Sequence, residues 1–164
     1  MASEHSMDVA VRFDLQELVN AVDQARREAT TRYDLKDSNV EIELGDDLLK
    51  ITTPSKIQVE SVYDILLRKV IGRKLSPKIF DRQEAQDVGG MRVRQEIRLI
   101  KALDQETAKK ISKFIRENFP KAKPSIQGET VRVSSKSIDD LQAIMTKLKA
   151  DESIKVPLDF SNYR

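Results

Sequence analysis

The run Val40-Glu41-Ile42-Glu43-Leu44-Gly45-Asp46-Asp47-Leu48-Leu49-Lys50-Ile51-Thr52-Thr53-Pro54-Ser55-Lys56-Ile57-Gln58-Val59 decides the fold. Val40, Ile42 and Leu44 alternate with acidic residues; after the Gly45-Asp46-Asp47 turn, Leu49, Ile51 and Thr53 return around Lys50 and Thr52. Alternation of period two on both sides of a glycine turn reads as a β-hairpin with one buried face. Beyond Pro54 the period lengthens to that of a helix, with Val59, Val62, Tyr63, Leu66 and Val70 on one stripe. Ser55 and Gln58 stand at the N-cap-to-N3 spacing that satisfies orphan amides at a helix start.

The same sentence is written twice. An offset of 82 positions carries Leu44 to Ile126, Leu49 to Val131, Ile51 to Val133, Ser55 to Ser137, Val59 to Leu141, Val62 to Ile144 and Leu66 to Leu148 without a gap. The second copy has its own hairpin, Pro124 and Ile126 then Val131 and Val133, around Gly128-Glu129. Its helix runs Ile138, Leu141, Ile144, Met145 and Leu148, capped by Ser137 with Asp140.

Working outward, a helix precedes each hairpin. Leu15, Leu18, Val19, Val22, Ala25 and Ala29 follow the Asp14/Glu17 cap pair, and Ala108, Ile111 and Ile115 follow Asp104 until Pro120. Further strands are expected over residues 7–13, 75–80, 91–101 and 157–160. The order is β-α-β-β-α-β, twice, with Gln83 to Gly90 as the seam. The chain is therefore expected to be α+β, a tandem duplication of two ferredoxin-like units over residues 1–84 and 85–164.

Composition narrows the chemistry. In 164 residues there is no cysteine and one histidine, so neither a disulfide framework nor an ordinary zinc site can be built. His5 lies in a polar stretch and reads as solvent-exposed. None of the five glycines builds a phosphate-cradling loop. Asp46-Asp47, Asp139-Asp140 and Asp151-Glu152 are the paired carboxylates that a metal-dependent phosphoester hydrolase would use. Each also has a plainer place, at a hairpin turn, in a helix first turn or just past a helix end. The reading preferred here is no enzyme, no cofactor and no metal. Met1 to Asp8 carries no apolar signal region and no run approaches the length of a membrane helix, so a cytoplasmic address and no membrane contact are expected. The sequence leaves the oligomeric state open, with a monomer favoured.

Net charge is only +2, from 29 basic and 27 acidic residues, so a basic surface would have to be local. Alternation supplies one. With Met91, Val93, Ile97 and Leu99 inward, Arg92, Arg94 and Arg98 turn outward, as do Lys50 and Arg132 beside Ile51 and Val133; Asp8, Glu41, Glu43 and Glu96 share that side. A basic open sheet face suits single-stranded RNA, and Phe80 is the expected outward stacking ring. Arg94 and Arg98 also offer an R-x-x-x-R pair to guanine.

The stretches Met7-Asp8-Val9, Phe13-Asp14-Leu15-Gln16-Glu17-Leu18-Val19-Asn20-Ala21-Val22-Asp23-Gln24-Ala25, Arg32-Tyr33-Asp34-Leu35-Lys36, Ile126-Gln127-Gly128-Glu129, Lys136-Ser137, Asp139-Asp140-Leu141-Gln142-Ala143 and Asn162-Tyr163-Arg164 resemble the YajQ family. The sequence departs from the family pattern at Met7, Ser135 and Ile138. The resemblance implies two ferredoxin-like domains that exchange their first strands, residues 7–13 and 91–101, and nucleotide binding without a defined catalytic residue. It links the family to RNA, tRNA included, and to cyclic di-GMP, and adds Lys136 and Arg164 to Arg132 as contacts. The expected function is a non-enzymatic protein binding RNA or a guanine nucleotide through Lys50, Arg92, Arg94, Arg98, Arg132, Lys136 and Arg164. A cyclic di-GMP effector and the hydrolase are the alternatives.

Overall fold

The computed structural model describes residues 4–164; the first three residues of the polar opening stretch lie outside the described residues. Along the chain come β1 (His5–Val11), α1 (Leu15–Thr31), β2 (Glu41–Leu44), β3 (Leu48–Thr53), α2 (Lys56–Gly72), β4 (Phe80–Arg82), β5 (Gln86–Asp87), β6 (Val93–Leu99), α3 (Gln105–Asn118), β7 (Lys123–Gln127), β8 (Thr130–Ser135), α4 (Ile138–Ala150) and β9 (Leu158–Ser161).

All four helices begin at the caps set by the sequence. Asp14 accepts from the amides of Gln16 and Glu17, Ser55 from Gln58, Asp104 from Thr107 and Ser137 from Asp140, at 3.0 to 3.3 Å. Each bond satisfies an amide that has no partner inside its helix, worth about 1 kcal/mol. The reciprocal half of the box at Asp14 is not made; the Glu17 carboxylate instead accepts from Arg73 Nε at 2.8 Å.

The described chain forms two compact units, an inner one of residues 13–100 and a terminal one of residues 4–12 with 101–164. In the inner unit an antiparallel sheet runs β2-β3-β6-β4, with β5 also paired to β6. Ile42, Leu49, Ile51, Ile97 and Leu99 pack from the sheet into one core with Leu18, Val22, Val62, Ile65 and Leu66 of α1 and α2. Ala21, Ala25 and Ala29 line the buried stripe of α1 and bring its backbone close to its neighbours. In the terminal unit the sheet runs β7-β8-β1-β9, all antiparallel. Met7, Val9, Val131 and Val133 are fully buried there, as are Ile111, Ile115 and Ile144 on α3 and α4. Both sheets have the strand order of a ferredoxin-like unit. The hairpins share one register: Leu44 faces Leu49, and Ile126 faces Val131.

Four local expectations are corrected. Residues 75–80 are not a strand. Pro77 opens a 3-10 turn over Pro77–Ile79, with Ser76 Oγ accepting from the Lys78 amide at 3.1 Å, and pairing begins only at Phe80. Proline has no amide to give a sheet. Phe80 is not an outward platform; it is buried and meets the Tyr63 ring edge-on at 6.0 Å between centroids. Met91 is not inward but 93% exposed. It closes a turn in which Gly89, Gly90 and Met91 all have positive φ, of 83°, 61° and 60°, so strand alternation starts only at Val93. His5 belongs to β1, half-buried, with Nδ1 3.2 Å from the Arg164 carbonyl oxygen.

One core-side residue of β6 is polar. Gln95 is buried, with Oε1 accepting from Arg82 Nε at 3.1 Å and Nε2 donating to the Gln83 carbonyl at 2.8 Å. Arg82 in turn lies 3.7 Å over the Tyr63 ring centroid. Buried amides stay cheap only when paired in this way.

The topology makes a cut at Gly89 costly. Residues 1–89 lack β6, the strand between β3 and β4, and residues 90–164 lack β1, the strand between β8 and β9. Each fragment would expose two unpaired strand edges and the apolar face behind them. Expressed separately, neither should unfold cooperatively in urea by circular dichroism, and mixing them should restore the transition.

Candidate functional site

On the open face of the inner sheet, pairing brings Glu41, Thr52, Arg94 and Gln86 into one row and Glu43, Lys50 and Glu96 into the next. Arg98 and Asp81 face each other in a third. Lys50, Arg94 and Arg98 thus share a face, but with Glu41, Glu43, Glu96 and Asp81 between them. The face is charge-balanced rather than basic, and Glu96 stands between the two arginines of the R-x-x-x-R pair. Arg94 donates from Nε to Thr52 Oγ1 at 3.0 Å and lines a polar cleft of about 310 Å³ with Gln83, Glu84 and Gln86.

Arg92 does not join that face. Its guanidinium donates to the carbonyls of Ser38 at 2.7 Å, of Asn39, and of Thr52 at 3.4 Å. It clamps the loop ahead of β2 to β3.

In the terminal unit Arg132 lies opposite Asp8, and its Nε donates to Asp8 Oδ1 at 3.0 Å. Asn162 Nδ2 donates to the other carboxylate oxygen at 2.8 Å. The Arg132 hydrogen bond, aided by that of Asn162, holds the Asp8 carboxyl below the ordinary aspartate range despite its burial. Asn162 has a φ of +54° and sits where β9 acquires one extra residue. Ser161 faces Asp8, yet Arg164 exchanges both backbone hydrogen bonds with Ser6, at 3.3 and 3.1 Å. This is a β-bulge, and such an insertion re-aims the side chains around it.

The side chains re-aimed are Tyr163 and Arg164. With His5, Ser6, Ile138, Leu141, Gln142, Met145 and Thr146 they line a groove of about 710 Å³. Leu141 is buried in it, Ile138 is half exposed, and Tyr163, 58% exposed, donates its hydroxyl to Met145 Sδ at 3.6 Å. The lining joins an apolar wall to an amide, three hydroxyls, an imidazole and one guanidinium, and contains no carboxylate side chain. Such a set suits a flat apolar ring carrying an anionic group. Lys136 is exposed just ahead of the Ser137 cap of α4.

Of the seven cations expected at the site, then, the fold brings Lys50, Arg94 and Arg98 to one face and ties Arg92 and Arg132 to the protein's own oxygens. Arg164 alone lines the groove. Ile138 and Met145 were readable as α4 core, but they stand seven residues apart with Leu141 and Gln142 between, a stripe wider than the core uses. Tyr163 carried no such signal, because a bulge aims it. Among the described residues no group of three or more His, Cys, Asp or Glu could hold a metal ion, and no helix is long and apolar enough to cross a membrane.

The fold defines an α+β protein with two ferredoxin-like sheets in one chain, each backed by two helices. A family model described as "Nucleotide-binding protein YajQ-like" matches residues 5–164, and the chain belongs to that family. It is 52% identical to a "Nucleotide-binding protein" of Trichodesmium erythraeum (strain IMS101) and 54% identical to one of Synechococcus sp. (strain JA-3-3Ab), covering 100% of both chains in each case. A further relative of that name, from Trichormus variabilis (strain ATCC 29413 / PCC 7937), is 51% identical over 164 residues.

The Asp8 network makes the groove acid-sensitive. Because the folded carboxyl titrates below the unfolded value near 3.8, its contribution is complete above that pH and is lost as pH falls through the lower folded value. Asp8→Asn should lower the urea midpoint at pH 7. The gap between wild type and variant should close as the pH is taken below about 4, followed by circular dichroism.

Proposed function

We propose that this chain is a non-enzymatic nucleotide-binding protein that seats RNA or a guanine nucleotide in the groove of its terminal unit. The observation that carries the reading is the groove of about 710 Å³, lined by no carboxylate side chain and with an exposed tyrosine and an arginine in its lining. Its volume falls within the roughly 300–1,000 Å³ usual for small-ligand sites. Tyr163 offers a stacking surface for the base. Arg164 is suited to the phosphate or to the O6/N7 edge of guanine, both of which accept a two-point fork. Lys136 is assigned to a second phosphate. Arg132 acts through Asp8 and Asn162 as a positioning residue, and Arg92 as a clamp. The printed names of the relatives, each a "Nucleotide-binding protein", support the same class of ligand. The open sheet of the inner unit supports the reading less well, because carboxylates separate its cations and Phe80 is buried.

The fold itself we read as a duplication of residues 1–84 into 85–164 with the first strands exchanged. The 82-residue offset shared by both hairpin registers and both following caps supports it, as does the seat of β1 between β8 and β9.

Calorimetric titration of GMP, AMP, cyclic di-GMP and a short single-stranded RNA tests the site. Tyr163→Ala should cost on the order of 1–3 kcal/mol with every base-containing ligand. Arg164→Gln should weaken all ligands if it holds phosphate, and guanine ligands alone if it reads the base. An Arg94→Ala/Arg98→Ala variant should bind as wild type does; if it alone loses binding, the ligand sits on the inner sheet and the groove assignment is wrong.

A further inference from the structure

The loop of residues 32–39 displays a ring that the fold does not use. Tyr33 is 88% exposed and contributes nothing to the core. Its backbone, by contrast, is fixed. Arg32 N donates to the Glu28 carbonyl at 2.8 Å, and the Leu35 and Lys36 amides both donate to the Arg32 carbonyl, at 3.0 and 2.8 Å. The Leu35 side chain, 1% exposed, is buried in the inner core. At the far end the Arg92 guanidinium holds the Ser38 and Asn39 carbonyls, and Gln58 Nε2 donates to Ser38 Oγ at 2.7 Å. A rigid turn thus presents an aromatic side chain to solvent, at little further ordering cost when something lands on it.

The surroundings of the ring select what lands. The Lys36 ammonium lies 5.3 Å from the ring centroid, over one face, and Arg32 Nε pairs with Asp34 Oδ1 at 2.8 Å. No other large apolar side chain of the loop is exposed. An apolar protein partner needs a contiguous patch, and a lone ring rimmed by ions does not make one. A π-face beside a mobile cation is instead what a single strand of nucleic acid uses, one base stacked and one phosphate neutralised. We propose that Tyr33 is a stacking platform for an unpaired base of single-stranded nucleic acid, with Lys36 neutralising the neighbouring phosphate. The proposal rests on the nucleotide-binding reading above and adds to it a separate contact for an unpaired base on the inner unit. Arg92, expected from its charge to touch phosphate, serves the platform through the backbone that carries it.

The test uses the full chain and a short single-stranded RNA carrying 2-aminopurine, whose fluorescence is quenched on stacking. Tyr33 and Lys36 are exposed, so Tyr33→Ala, Tyr33→Phe and Lys36→Gln should keep the wild-type unfolding midpoint. Tyr33→Ala should weaken RNA binding roughly fivefold or more and relieve the quench, while Tyr33→Phe keeps both. Lys36→Gln should reduce the slope of log affinity against log salt by about 0.7. GMP affinity should be the same in Tyr33→Ala and wild type. If GMP fails to bind while RNA binding still depends on Tyr33, the groove reading falls and this one stands. RNA binding that is absent in wild type, unchanged in Tyr33→Ala, or lost equally in Tyr33→Phe overturns it.

Discussion

The ladder that β1 makes with β8 and β9 joins residues 5–11 to residues 130–135 and 158–161, and the terminal unit is built around it. β1 is a central strand, so its amides and carbonyls are consumed on both edges while Met7 and Val9 are fully buried. Asp8 on its other face meets Arg132, 124 positions away in sequence. Such contacts require a long loop to close before any of them forms. The entropic cost rises only logarithmically with loop length, but pairings of this kind slow folding. At the bulge that aims Tyr163 and Arg164, Asp8 offers its second carboxylate oxygen to Asn162.

The fates of the cations follow from the same ladders. Alternation along a strand reports which face a side chain occupies, and for Lys50, Arg94, Arg98 and Arg132 it does so correctly. It does not report which charges arrive from the neighbouring strands. On the inner sheet those neighbours are Glu41, Glu43, Glu96 and Asp81, and on the terminal sheet Asp8. Alternating charges across an exposed sheet are worth little in stability, but they cancel the field that would draw in a polyanion. Arg92 and Arg132 illustrate a second use of arginine. Each has a planar fork that fits fixed oxygens, and each spends it on the protein's own backbone or carboxylate.

Much of the framework was legible because it rests on local physics. The Asp14, Ser55, Asp104 and Ser137 caps need only residues two or three positions ahead, and the hairpins need only alternation around a turn. Pattern reading failed where a backbone turn intervened. Three successive left-handed residues at Gly89, Gly90 and Met91 broke the alternation behind Val93, and Pro77 replaced a strand with a 3-10 turn. Phe80 then fell on the buried side, since its pairing with Leu99 sets its face.

By itself the sequence determined the α+β class and the helix starts, which depend on spacings shorter than a helical turn or two, and the repeated strand-strand-helix unit, which shows as one pattern recurring at an offset of 82 positions; it also holds no cysteine. Tertiary structure decided which strands share a sheet, which arginines remain available, and where an apolar groove opens beside α4. Those outcomes depend on partners such as Asp8 and Arg132, or Arg92 and Ser38, that are 124 and 54 positions apart. No periodicity within one segment encodes a distant partner, so the exposed rings of Tyr33 and Tyr163 became visible only once the chain had closed around them.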